Sequence, residues 1–140
     1  MIVLDTNVVS EMMRARPHAQ VASWLDAIDA GDVGVSGIVA AELRAGVAVL
    51  PPGQRREHLG LRLTDLLGAL GRAVLPFDAK AAGHYGEVMS ARRRLGRPVD
   101  PLDAQIAATC LAHGATLATR NVKDFEGVGL TLVDPWDHTG

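Results

Sequence analysis

Asp5, Glu42 and Asp103 are carboxylates in positions where a carboxylate is unfavourable. Asp5 directly follows the apolar run IVL at 2–4. Glu42 is flanked at helical spacing by Ile38, Val39, Gly46 and Val49, and Asp103 by Ile106, Ala107 and Cys110, so both fall on apolar stripes. A buried carboxylate without partners is costly, and three that converge repel one another unless protons or a cation neutralise them. No arginine or lysine is spaced to pair with all three. Oxygen ligands without histidine or cysteine suit Mg²⁺ or Mn²⁺, and Mg²⁺ typically joins one or two carboxylates to a substrate phosphate. The chemistry open to such a set is phosphodiester hydrolysis, with the cation acidifying a water and offsetting charge on the phosphate. Two of the three, Asp5 and Asp103, also have a plainer reading, whereas Glu42 is too far along its helix for a capping box. Asp5 could cap the helix after it, and Asp103 stands where a capping-box acid belongs. Thr6 and Asn7 could cap without a charge, however, and a cap need not face the core. Asp100, followed by Pro101, reads as a cap alone.

The elements that would gather these residues follow from the apolar pattern. Short runs bounded by turn residues predict strands at 2–5, 33–36, 73–77, 115–119 and 130–133. Helical periodicity predicts helices at 7–14, 18–30 with Pro17 near its first turn, 37–50, 54–71, 79–95 and 102–113. Strands alternating with helices of this length imply crossover connections and a mostly parallel five-stranded sheet covered on both faces, a three-layer α/β/α domain spanning 1–140. In such sheets ligands bind beyond the carboxyl ends of the strands, where the crossover helices begin. Asp5, the segment Thr119, Arg120, Asn121, and Asp103 all belong to that edge. Glu42, six residues past the N-cap candidate Ser36, lies about 9 Å along its helix from the same edge at ~1.5 Å per residue.

Composition narrows the classes. A chain of 140 residues, 48% hydrophobic and 21% charged, reads as one globular domain able to bury a core without disulfides. No apolar run suggests a membrane span, and the residues after Met1 lack a secretory pattern, so the expected location is the cytoplasm. The net charge of −2 means that a nucleic-acid partner would need a local basic patch or metal ions. Cys110, on an apolar helix stripe, reads as a core thiol. GVSGI at 34–38 is not a nucleophile elbow, there is no P-loop, and the five histidines have no zinc-ligand spacing.

Four blocks carry a resemblance when taken in order: VLDTNVVSE at 3–11, AAELRAG at 40–46, DPLDAQIAAT at 100–109 and LATRNVKDFEGVGLTLVDPW at 117–136. Over its whole length the chain resembles the PIN-domain nucleases, and within them the VapC and FitB-like toxins of bacterial toxin–antitoxin pairs. The resemblance implies a PIN-like fold and a Mg²⁺-dependent endoribonuclease, usually dimeric and silenced by a VapB-like antitoxin protein. It implies Asp5 and Asp103 as principal metal ligands, Glu42 as the helix glutamate, and Thr6 and Asn7 as residues that orient Asp5 and its water. The chain departs from the family at the fourth acidic position, where TxD is common and TRN places Asn121. Asn121 can hold a water but brings no charge. Asp124, three residues on, could supply the missing carboxylate or be a loop acid beside Phe125.

Two further features have structural readings. Arg92, Arg93, Arg94 and Arg97 end a helix, where cations complement the helix dipole and face solvent; phosphate contacts are the alternative. The leucines of helix 54–71 read first as core and second as a dimer or antitoxin surface. Two rival functions remain at this point. In an aspartyl-phosphate phosphatase or receiver-type domain Asp5 would be phosphorylated, but Asn7 stands where such a phosphatase carries a second aspartate. A non-catalytic RNA- or protein-binding module would use the acids only as caps.

Overall fold

The computed structural model describes residues 1–139. In chain order it runs β1 (Ile2–Leu4), α1 (Thr6–Met12), α2 (Ala19–Ala27), β2 (Val33–Ser36), α3 (Gly37–Ala48), α4 (Gln54–Leu70), β3 (Val74–Leu75), α5 (Ala79–Arg94), α6 (Pro101–Ala112), β4 (Thr116–Ala118) and β5 (Leu132–Val133), with short 3₁₀ turns between some of them. The strands form one sheet in the order β3-β2-β1-β4-β5, and every pairing is parallel. A pair of helices makes each of the first three crossovers, and six helices flank the sheet as the three-layer expectation requires. The chain steps outward from β1 to β3, then returns to the other side of β1 for β4.

The caps fall where the sequence places them. Ser36 Oγ accepts from the Val39 amide at 3.1 Å and starts α3. Asp100 Oδ1 accepts from the Leu102 amide at 2.9 Å, with Pro101 as the first residue of α6. Two predicted elements are corrected. The helix expected over 18–30 ends at Ala27; Ile28 is extended and Asp29 caps a separate 3₁₀ turn, Ala30–Asp32, through the Gly31 amide. The aspartate offers the backbone a local acceptor that competes with continued helix, and Pro17 lies outside α2, whose cap is His18. The strand expected over 73–77 shrinks to Val74–Leu75, because Pro76 cannot donate to a ladder.

The core is made by the inner strands and the helix faces over them. Val3, Leu4, Val35 and Leu117 from the sheet meet Val8, Val9, Val39, Ile106 and Phe125. Helix α6 is buried along most of its length, and its alanines let it lie close to α5 and the sheet. Gly34 is needed where β2 passes the chain leading into β3: a Cβ there would sit 2.6 Å from the Ala73 carbonyl oxygen. Backbone cannot move aside as a side chain can. Gly34→Ala is therefore expected to destabilise the fold by roughly 2 kcal/mol, read as a lower urea midpoint with an unchanged slope.

Candidate active site

The parallel register builds the first half of the site. Leu4 pairs with Ala118, and the Asp5 amide donates to the Ala118 carbonyl at 2.9 Å, so the next residues, Asp5 and Thr119, emerge side by side. Thr119 Oγ1 donates to Asp5 Oδ2 at 2.7 Å, and the Thr6 amide donates to Oδ1 at 2.8 Å. Asn7 Nδ2 reaches the same Asp5 oxygen at 3.5 Å and Thr119 Oγ1 at 3.4 Å. Asp5 is only 4% exposed, yet both its oxygens are held in place. The β1–β4 boundary is also where the strand order reverses, the crevice at which open parallel sheets bind ligands.

Helices bring the other acids. Glu42 projects from α3, and Thr6 Oγ1 donates to its Oε1 at 3.2 Å. Thr6 thus holds Asp5 with its backbone and Glu42 with its side chain. Val49, read from the sequence as a core neighbour of Glu42, is instead 82% exposed; the buried face of α3 is Val39 and Leu43. Asp103, in the first turn of α6, lines a cavity of about 170 Å³ with Arg92, Val99, Asp100 and Asp124. Asp124 belongs to the 3₁₀ turn Val122–Phe125 that follows β4. Asn121 lines a separate depression with Arg120, Lys123, Asp124 and Asp134, and its amide donates to Thr119 Oγ1 at 3.0 Å. The structure thus places Asp124, and not Asn121, on the wall of the cavity that holds Asp103.

The acids raise one another's affinity for protons. Burial pushes the Asp103 carboxyl up to about 6, with the charges of Asp5, Asp100, Glu42 and Asp124 adding to the effect. Asp5 is raised mainly by burial, against the hydrogen bonds from Thr119 and Thr6, with Asp124 adding to the rise. Glu42 is raised by burial and by the charges of Asp5 and Asp100. Among the described residues no ion pair includes any of the three. The donors are all hard oxygens of acids without an ion-pair partner, which fits a divalent ion such as Mg²⁺ or Mn²⁺ and does not fit zinc. Among the described residues no three acidic, histidine or cysteine side chains are grouped so that they could hold a metal ion by themselves. Water and substrate oxygens would have to complete the shell, as they usually do for Mg²⁺.

Two residues escape the sequence reading. Thr119 lies on the expected edge but its bond to Asp5 depends on the strand register, which only the order of β1 and β4 supplies. Arg92, expected to face solvent with its neighbours, is 3% exposed. Arg93, Arg94 and Arg97 do face solvent. Of the leucines in α4 only Leu63 is fully buried, and Leu61 is 67% exposed, so that helix presents apolar surface outward. Cys110 is wholly buried, and desolvation, with the Asp5 charge, raises its thiol to about 12, an inert core group.

Known proteins are similar to this chain along nearly its whole length. The chain is 43% identical to the VapC ribonuclease Y4jK of Sinorhizobium fredii over 98% of this chain and 99% of the relative. It is 39% identical to the toxin FitB of Neisseria gonorrhoeae, covering 97% and 99% of the two chains. The crystal structure of FitAcB from Neisseria gonorrhoeae superposes with a TM-score of 0.91 at 38% identity, over 98% of this chain and 99% of that one. Residues 2–129 match the PIN domain, and with the blocks around Asp5, Glu42 and Asp103 set on one sheet edge, the chain belongs to the PIN-domain family, among its VapC and FitB-like members.

Proposed function

We propose that this chain is an endoribonuclease, the toxic member of a toxin–antitoxin pair, acting in the cytoplasm with Mg²⁺ or Mn²⁺. The observation that carries the reading is the convergence of Asp5, Glu42, Asp103 and Asp124 on the strand-reversal crevice, with none of the four in an ion pair among the described residues. Asp5 and Asp103 are the metal ligands, and Asp124 completes the acidic wall. A divalent ion held there would acidify a water and offset charge on the scissile phosphate. Thr119 and the Thr6 amide fix the direction of the Asp5 oxygens. Glu42, held by the Thr6 hydroxyl, orients the attacking water and can take up its proton, since its own affinity for protons is raised. Exposed Arg93, Arg94, Arg97, Arg120 and Lys123 offer phosphate contacts around the crevice, and Arg120 is fixed over the Trp136 ring at 5.0 Å.

An apolar groove of about 520 Å³ between α1, α3 and α4, floored by Met13, Leu43, Val47 and Leu59 and rimmed by Arg14, Arg55 and Arg62, supports an antitoxin whose docking segment is apolar with acidic flanks. The expected assembly of the free protein is a homodimer, checked by light scattering.

The purified protein should cleave RNA in the presence of Mg²⁺ or Mn²⁺ and stop on addition of EDTA. Cleavage that persists in EDTA, or in Asp5→Ala, would overturn the metal-site reading, and phosphodonor labelling of Asp5 would favour the aspartyl-phosphate alternative. Thr119→Val keeps the side-chain shape but removes the donor to Asp5. It is expected to lower metal affinity or cleavage by about 10–100-fold, as loss of a group that orients a ligand typically does.

A further inference from the structure

Arg92 is a buried charged side chain on the wall of the crevice that the proposed chemistry does not use. It projects from the last turn of α5 into the protein, 3% exposed, and is the buried cation on the wall shared by Asp103 and Asp124. It makes no ion pair among the described residues. Instead its Nη1 donates to two backbone carbonyls, Lys123 at 3.2 Å and Glu126 at 2.8 Å. Its Nε has no hydrogen-bond partner at all. A guanidinium held this way is a poor device for stability alone. It is desolvated, it leaves a buried donor orphaned, and a methionine of similar volume would pack there at less cost.

What the two bonds do is geometric. Lys123 and Glu126 bracket Asp124 and Phe125, so one guanidinium holds both ends of the turn that carries Asp124. The carbonyls at the end of a short 3₁₀ turn have no partners of their own, and this is where Arg92 meets them. Arg97 grips the same turn from outside, donating to the Lys123 carbonyl at 3.3 Å and pairing with Glu126 at 3.6 Å. Arg97 is exposed, and its contacts are open to water. Inside, Phe125 is buried as an apolar plug, which sets the depth of the turn but not its rotation.

We propose that Arg92 is a positioning residue: it pins the Lys123–Glu126 backbone so that the Asp124 carboxylate faces Asp103 across the metal-binding crevice, a role that rests on the metal site proposed above. Asn121 lines a separate depression and brings no charge, so the further carboxylate on the Asp103 wall is that of Asp124, on a turn that Arg92 supports.

The test is Mn²⁺ binding measured by calorimetry on the purified protein, with unfolding midpoints recorded alongside. Asp103→Asn serves as the control: if it leaves Mn²⁺ binding intact, the metal site itself is wrong. With that control satisfied, Arg92→Met is expected to weaken Mn²⁺ binding about tenfold, and Arg92→Lys, which can reach only one carbonyl at a time, by less. In an Asp124→Asn background the Arg92 substitutions should add nothing, since the group they position is gone. Either a folded Arg92→Met or Arg92→Lys protein with parental Mn²⁺ affinity, or effects of Arg92 and Asp124 changes that multiply, would overturn the proposal. A purely structural arginine would lower the unfolding midpoint while leaving Mn²⁺ affinity in the folded protein unchanged. If Arg92→Met does not fold, the same comparison is made with Arg92→Lys.

Discussion

Asp103→Asn is expected to abolish RNA cleavage while making the metal-free protein more stable. The two effects have one cause. Asp103 is held at the start of α6, where burial first, and then the charges of Asp5, Asp100, Glu42 and Asp124, raise its affinity for protons to a midpoint of about 6. At neutral pH the carboxylate is charged against that repulsion. Asparagine keeps the shape and removes the charge, so the metal-free fold should gain roughly 1 kcal/mol at pH 7. Raising the midpoint from 3.8 to about 6 would correspond to about 3 kcal/mol, but Asp103 is partly open to solvent, which moderates both the burial and the repulsion. The same substitution removes a metal ligand. Losing several kcal/mol of charge stabilisation at the phosphate lowers the rate by roughly 10³-fold or more. Denaturation in EDTA and a single-turnover cleavage assay measure the two arms. A variant that is less stable and still active would show that Asp103 is a capping residue and nothing more.

The opposition between stability and activity explains why some of the site could be read from the sequence and some could not. Asp5, Glu42 and Asp103 were legible because they strain the local pattern: each sits on an apolar strand or stripe, where capping alone would not require a charge turned toward the core. The strands and helices followed from apolar periodicity, with errors where aspartate or proline chemistry overrode it, at Ile28–Asp29 and at Pro76. Thr119 was not legible as a ligand of Asp5, because a threonine at a strand end is ordinary and its partner lies 114 positions away. Only the reversal of strand order between β1 and β4 makes them neighbours. Arg92 was hidden for a different reason. It stands in a run of three arginines at a helix end, where solvent exposure is the default, and helical rotation turns one of the three inward. The choice between Asn121 and Asp124 depended on the turn after β4, whose conformation has no periodic signal.

Adding a divalent ion should reverse the pH dependence of stability. In the metal-free protein the raised carboxylates bind protons more tightly folded than unfolded. Folding stability from these groups is therefore fully present below the ordinary carboxylate range. It declines as pH climbs through that range to about 6, the folded midpoint of Asp103. Metal binding has the opposite sign, because the ion competes with those protons and needs the charged carboxylates. At pH 7.5, Mn²⁺ at ~100 times its dissociation constant should stabilise the fold by about 2.7 kcal/mol. For a domain of this size that raises Tm by roughly 10 °C. Near pH 5, where Asp103 is mostly protonated, its proton weakens Mn²⁺ binding about tenfold, so the same Mn²⁺ concentration should stabilise by only about 1.4 kcal/mol and raise Tm by roughly 5 °C. Thermal scans across this pH range, with and without Mn²⁺, would then diverge as pH rises, and Asp103→Asn should bring the two curves together at every pH. A Mn²⁺ effect of equal size at pH 5 and pH 7.5 would mean that the ion binds elsewhere. The acids around Asp5 and Asp103 would then be mutual repulsion without a purpose in catalysis, which is the outcome that the tight fixing of Asp5 by Thr119 argues against.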